Sequence, residues 1–132
     1  MNRIIIALAM VVVPSCAPAI TNAELDRLIP ALIQVESGGN DRAIGDSGNA
    51  VGALQIWPIY VKDVNRIAGT HYTLNDRYDR AKAIAMTRIY LTHYGRGKTI
   101  DQVARIHNGG ANGHKKKETL KYWNKVRKEL AK

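Results

Sequence analysis

The sequence predicts a mostly helical α+β domain of about five helices with one short glycine-rich β-wing. Three observations carry that expectation. Apolar residues recur at three- and four-residue spacing in five separate stretches. Glycine follows four of those stretches, as it does where a helix is to stop. Residues 38–52 hold five glycines among Asn40, Asp41, Asp46, Ser47 and Asn49, too many turn formers for a helix, so they form a loop or short hairpin.

The chain starts with a segment that does not belong to the fold. Met1-Asn2-Arg3 is a short basic stretch followed by an apolar run over residues 4–13, the pattern of a secretory signal. Cleavage after Ala17-Pro18-Ala19 makes residues 1–19 the signal peptide and 20–132 the working domain. In an alternative processing, Val13-Pro14-Ser15-Cys16 serves as a degenerate lipobox and Cys16 becomes a lipidated N-terminus. An uncleaved anchor is the poorest fit, because this run falls short of the ~20 residues a membrane span needs. The expected location is therefore exported, periplasmic or extracellular.

In the domain, Leu25, Leu28, Ile29, Leu32 and Ile33 mark a first helix, with Asn22 as its cap, Pro30 bending or restarting it, and an end near Glu36. Pro58 suits the first turn of a second helix that runs through Ile67 and closes at Gly69. A longer third helix is expected from about Asp76 to Tyr94, stopped by Gly95. Thr99-Ile100-Asp101-Gln102 has the form of a capping box, so a fourth begins at Ile100, carries Val103, Ala104 and Ile106 inward, and stops at Asn108-Gly109-Gly110. Leu120, Trp123, Val126 and Leu130 form the apolar stripe of a fifth, beside Lys121, Lys125 and Lys128.

No repeat, low-complexity stretch or linker divides the 132 residues, and 45% apolar with 23% charged residues suits one domain with one core. Cys16 is the only cysteine, so the domain holds together by packing without a disulfide, which suits a bacterial or phage product. Without Arg3 the chain has 19 basic against 11 acidic residues. Such a surplus calls for an anionic partner, and export points to wall or envelope glycan rather than nucleic acid. The run Lys115-Lys116-Lys117, taken alone, also fits a solvated turn.

Glu36 stands out. A helix C-terminus carries partial negative charge and disfavours an anion, yet "ALIQVESGG" places a glutamate there, with four apolar residues among the five just upstream. Apolar surroundings and the negative helix end both raise a carboxyl pKa, which is what a proton donor at neutral pH needs. Gly38 and Gly39 would leave room for a ligand; the plain alternative is a surface residue at a frayed helix end.

Further along, "GALQI" (52–56), "ARIHNGG" (104–110) and "TLKYWNKV" (119–126) follow "ESG" in order. Over roughly residues 33–127 this resembles the lysozyme superfamily, most closely the invertebrate-type (destabilase) lysozymes, and through Glu36-Ser37-Gly38, Gly52 to Gln55 and Asn108 it is similar to bacterial lytic transglycosylase (SLT) domains. The cysteines depart from the invertebrate pattern, which is rich in disulfides. The resemblance implies a lysozyme-like fold with Glu36 as general acid and Asp46, in a polar turn that keeps it charged, as second carboxylate; lysozyme itself is the type case for that division of labour. Asp46 also fits an Asx turn, and Asp41 is the reserve candidate. By the same resemblance Gln55, His107, Asn108, Gly109 and Tyr122 are substrate-binding, with Tyr122 touching Glu36 and Gly109-Gly110 letting sugar pass close to backbone. His107 alternatively is a satisfied structural histidine; with His71, His93 and His114 scattered, no metal site is expected, and no cofactor. Trp57 is either core or sugar platform, and Trp123 belongs to the core.

The function expected from these residues is that of an exported, monomeric muramidase cutting the β-1,4 bond between N-acetylmuramic acid and N-acetylglucosamine in peptidoglycan glycan strands, with no nucleic acid partner and no transmembrane span after signal removal. A lytic transglycosylase would need Glu36 alone, because the muramoyl 6-hydroxyl replaces water and leaves 1,6-anhydro ends. A non-catalytic, basic glycan-binding protein is the third reading. Isopeptidase action lacks a Ser-His-Asp set of arguable spacing.

Overall fold

A computed structural model describes residues 19–132; the signal segment and Cys16 lie outside the described residues. Helix α1 (Asn22–Ser37) opens with a reciprocal capping box: the Thr21 hydroxyl accepts from the Glu24 amide at 3.1 Å, and the Glu24 carboxylate accepts from the Thr21 amide at 2.8 Å. That exchange makes Thr21 the cap and Asn22 the first helical residue, in place of the expected Asn22 cap. Pro30 lies inside α1 without dividing it. Leu25, Leu28, Ile29, Leu32 and Ile33 are all buried, as their spacing predicts, each contributing roughly 1.5 to 3 kcal/mol. Gly38 closes the helix at φ 62°, a conformation a side chain resists.

The glycine-rich stretch is a minimal hairpin. Strand β1 (Ile44–Gly45) pairs antiparallel with β2 (Ala50–Val51), Ile44 opposite Val51 and Gly45 opposite Ala50. Asp46 and Ser47 turn the chain between them with φ of 47° and 57°. A buried arginine on a 3-10 turn (Leu74–Tyr78) ties the hairpin down: Arg77 donates to the carbonyls of Leu74, Asn49 and Ile56 at 2.8 to 3.0 Å. The backbone of that turn lies so close that a Cβ on Gly52 would come within 1.9 Å of the Arg77 carbonyl oxygen.

Helix α2 (Pro58–Ala68) has Pro58 in its first turn and Gly69 at its end. Helix α3 (Arg80–Tyr94) starts later than the expected Asp76. Thr73 and Asp76 form a capping box on the short 3-10 turn, and Asp79, extended at φ −87° and ψ 115°, interrupts the chain and caps α3 by accepting from the Lys82 amide. Gly95 stops α3 for want of space, not for a positive φ: a Cβ there would meet the Leu91 carbonyl oxygen at 2.3 Å. Helix α4 (Ile100–Gly109) begins at its predicted capping box, with Thr99 donating to Gln102 at 3.0 Å.

Helix α5 (Thr119–Leu130) is turned relative to the expected stripe. The buried Thr119 hydroxyl accepts from Arg105 and donates to the Gly113 carbonyl, which fixes the helix phase. Leu120, next along, is therefore 44% exposed, while Tyr122, Trp123 and Leu130 pack against the core and Val126 is fully inside it. Helix α1 is the central element, packed against α3, α4 and α5. No helix of the described residues is long and apolar enough to cross a membrane.

Candidate active site

The end of α1, the hairpin, α2 and the end of α4 enclose a cleft of about 970 Å³. Glu36, Asp46, Gln55 and Trp57 form one side, Tyr60, Asp63 and Arg66 of α2 another, and His107, Asn108 and Gly109 a third. Glu36 is placed by its helix, and the helix end is placed by Ser37, whose hydroxyl donates to the Ala53 carbonyl at 2.8 Å and accepts from the Gly39 and Asn40 amides. One serine thus pins the end of α1 to the chain that carries Gln55.

The Glu36 side chain is only 16% exposed, and its pKa is raised to about 7. Burial is the main cause; the nearby charge of Asp46 adds to it, while Tyr122 and the positive charge of Lys125 work against it. The Tyr122 hydroxyl is buried without a well-aligned partner, and Glu36 is the acceptor within its reach. Asp46 is exposed at the hairpin tip, and its carboxylate accepts from the Trp57 indole at 3.2 Å. Asp63, the third cleft carboxyl, is pushed up by burial, but hydrogen bonds from Tyr94 and Arg66 outweigh this and hold it below the usual carboxylate range. Glu36 is accordingly the cleft carboxyl that holds a proton near neutral pH.

His107 is buried beneath the cleft. Its Nε2 lies 3.1 Å from the Leu54 carbonyl, which can only accept, so Nε2 carries the hydrogen and Nδ1 accepts from the Tyr60 hydroxyl at 3.1 Å. Burial lowers its pKa to about 4. The 3.8 Å approach of Nε2 to Glu36 is therefore no ion pair, because the imidazole is uncharged near neutral pH. With both ring nitrogens engaged inside the protein, neither is free to bind a sugar. Tyr60 in turn stacks on Tyr90, ring centroids 3.8 Å apart.

The chain matches the transglycosylase SLT domain over residues 17–130. It belongs to that family. The match makes this a lysozyme-like, peptidoglycan-acting domain. Comparison with curated proteins returns no match.

In this SLT domain Glu36, Asp46, Gln55, His107, Asn108 and Gly109 all line the one cleft, and Tyr122 stands behind Glu36. Gln55 holds a left-handed φ of 50°, with its amide nitrogen tied to the carbonyls of Ala43 and Gly52 at 3.1 and 3.0 Å. Such backbone strain, of order 1 to 3 kcal/mol, persists where surrounding contacts fix it. Asp41, the reserve carboxylate, does not line the cleft; it pairs with Arg80 at 2.7 Å. Gly38 and Gly39 also lie outside it. Their left-handed backbones, φ 62° and 87°, turn the chain out of α1, and they make no room for ligand. Gly109 is small because the Thr119 methyl would sit 2.7 Å from a Cβ, whereas Gly110 has φ 86°. Trp57 is 42% exposed on the cleft, and Trp123 packs on the core. The α2 wall, Tyr60 with Asp63 and Arg66, was not foreseen; its signal is the i, i+3, i+6 spacing of polar groups on a helix whose other face is apolar. Among the described residues no group of three His, Cys, Asp or Glu is gathered as metal ligands would be.

Proposed function

We propose that this SLT domain is an exported lytic transglycosylase that cuts between N-acetylmuramic acid and N-acetylglucosamine. The observation that carries the reading is Glu36, a buried cleft carboxyl with a pKa of about 7. A group poised there serves first as acid and then as base at neutral pH. Glu36 gives its proton to the glycosidic oxygen as the bond from the muramoyl C1 breaks. The muramoyl 6-hydroxyl then bonds to C1 and its proton passes to the Glu36 carboxylate, so the enzyme returns to its starting state and no water is consumed. Tyr122 borders the carboxyl and works against the rise in its pKa, and uncharged His107 lies beneath it without neutralising it. Gln55, Asn108, Gly109 and the exposed face of Trp57 contact the sugars. Residues 1–19 serve export, with lipidation of Cys16 as the alternative processing.

The hydrolase is the second reading. It is favoured by Asp46, which shares the cleft and acts electrostatically on Glu36, and by the likeness of the motifs to invertebrate-type lysozymes. Two variants separate the readings. Glu36→Gln abolishes turnover in both, by ~10²-fold or more. Asp46→Asn keeps shape and removes charge; the transglycosylase retains activity within about tenfold, whereas a two-carboxylate hydrolase loses orders of magnitude.

A further inference from the structure

The basic surplus is not spread over the molecule. Residues 19–95 hold eight Lys or Arg and eight Asp or Glu, so they balance; residues 96–132 hold eleven against three. Within that segment, Lys121, Lys125 and Lys128 recur at i, i+4 and i+7 and make one exposed stripe along α5, with Lys117 just before the helix. Lys121, Lys125 and Lys128 form no hydrogen bond or ion pair with any described residue, while Glu129 is occupied by Lys132.

This stripe begins next to the cleft. Lys116 lines the cleft itself, its ammonium 2.6 Å from the Gly109 carbonyl, and is followed by Lys117, by Glu118 at the helix cap and by α5. Further along, the positive charge of Lys125 acts on the Glu36 carboxyl, although Lys125 does not line the cleft. A polymer leaving the cleft past Lys116 therefore meets a row of cations. We propose that the outer face of α5 is an exosite for the peptide-stem carboxylates of the same peptidoglycan strand whose glycan occupies the cleft, an assignment that rests on the cleft being a peptidoglycan site. The chemistry of the row fits separate, mobile, singly charged groups. Lysine offers a compact charge on a flexible stem, not the rigid fork with which arginine grips one carboxylate or phosphate. The stripe presents no exposed aromatic ring on which a nucleic acid base would stack. Leu120, exposed at the start of α5 beside the stripe, adds an apolar contact suited to small peptide side chains. The consequence is a preference for strands that still carry their peptides.

Binding is measured in the Glu36→Gln background, so that neither cleavage nor its mechanism enters. The probes are end-labelled soluble glycan strands free of wall phosphate polymer, peptide-bearing from an endopeptidase digest and peptide-free from an amidase digest, followed by fluorescence anisotropy in about 20 mM salt. Peptide-bearing strands should bind roughly three- to tenfold more tightly. Adding Lys121→Gln with Lys128→Gln should erase that difference, as expected for the loss of two exposed charge pairs, while Arg27→Gln with Arg42→Gln, the same charge removed elsewhere, should leave it intact. Lys125 is left unchanged because its charge reaches Glu36. Equal binding of both strands, an equal loss in both double variants, or tight binding only when a wall phosphodiester polymer is present would each overturn the exosite. Failure of the transglycosylase reading shows separately, in the products of the wild-type enzyme.

Discussion

Glu36 is one residue asked to be apolar in its surroundings and polar in its work, and its titration makes both demands measurable. Its carboxyl must be protonated to act, so log kcat/KM should stay level below pH 7 and fall with unit slope above about 7. Tyr122→Phe removes a contact that lowers the pKa, so the descending limb should move to higher pH; a limb that stays in place contradicts the role given to Tyr122. The same shift affects stability. Raised from 4.5 to about 7, the folded carboxyl binds more protons than the unfolded one between those values, so its contribution is present below pH 4.5 and lost as pH rises through 7. Glu36→Gln should therefore gain up to about 3 kcal/mol at pH 8 and nothing at pH 4, read from urea unfolding at both. This much was legible in "ALIQVESGG", because burial beside a helix end follows from periodicity. The parts played by Gly38 and Gly39 were not, since a glycine that ends a helix and one that admits a ligand look alike until the chain direction beyond it is known.

At the level of elements, the helices were legible where local chemistry sets their bounds and displaced where tertiary contacts do. α4 begins at the capping box that Thr99 and Gln102 announce. α3 begins four residues after the expected Asp76, because two competing caps, Thr73 and Asp79, lie close together and the hairpin's hold on Arg77 favours a separate turn for the first. The phase of α5 depends on Thr119 reaching Arg105 and Gly113, contacts that no heptad-like pattern reveals. Arg77 is the strongest case: the residue is 7% exposed and its guanidinium donates to three carbonyls, joining three segments. Arg77→Leu should cost about 2 to 3 kcal/mol in chemical denaturation, the range for leaving buried acceptors unpaired. Activity should fall with it at temperatures where the protein remains folded, because Asp46, Gln55 and Trp57 all stand on the chain that Arg77 holds. Loss of stability with kcat/KM intact would mean that the hairpin keeps its place without this tie.

For the molecule as a whole, two properties converge on one substrate: a cleft open enough for a polymer and a basic surplus concentrated in residues 96–132. Activity on whole peptidoglycan should therefore decline as sodium chloride rises from about 20 to 300 mM, where the Debye length shortens from roughly 20 to 6 Å. A salt-independent rate would separate the surplus from substrate capture. The net charge and its concentration in residues 96–132 were legible in the sequence; its place beside the site was not, because only the fold brings Lys116 to the cleft. The central claim, that Glu36 works with the substrate's own hydroxyl, is tested most directly by digesting purified peptidoglycan in ¹⁸O-water and reading the new muramoyl ends by mass spectrometry. Transglycosylation consumes no water, so the ends should be 1,6-anhydro and free of ¹⁸O. Reducing ends labelled at C1 would contradict it and give the chemistry to Asp46 and water.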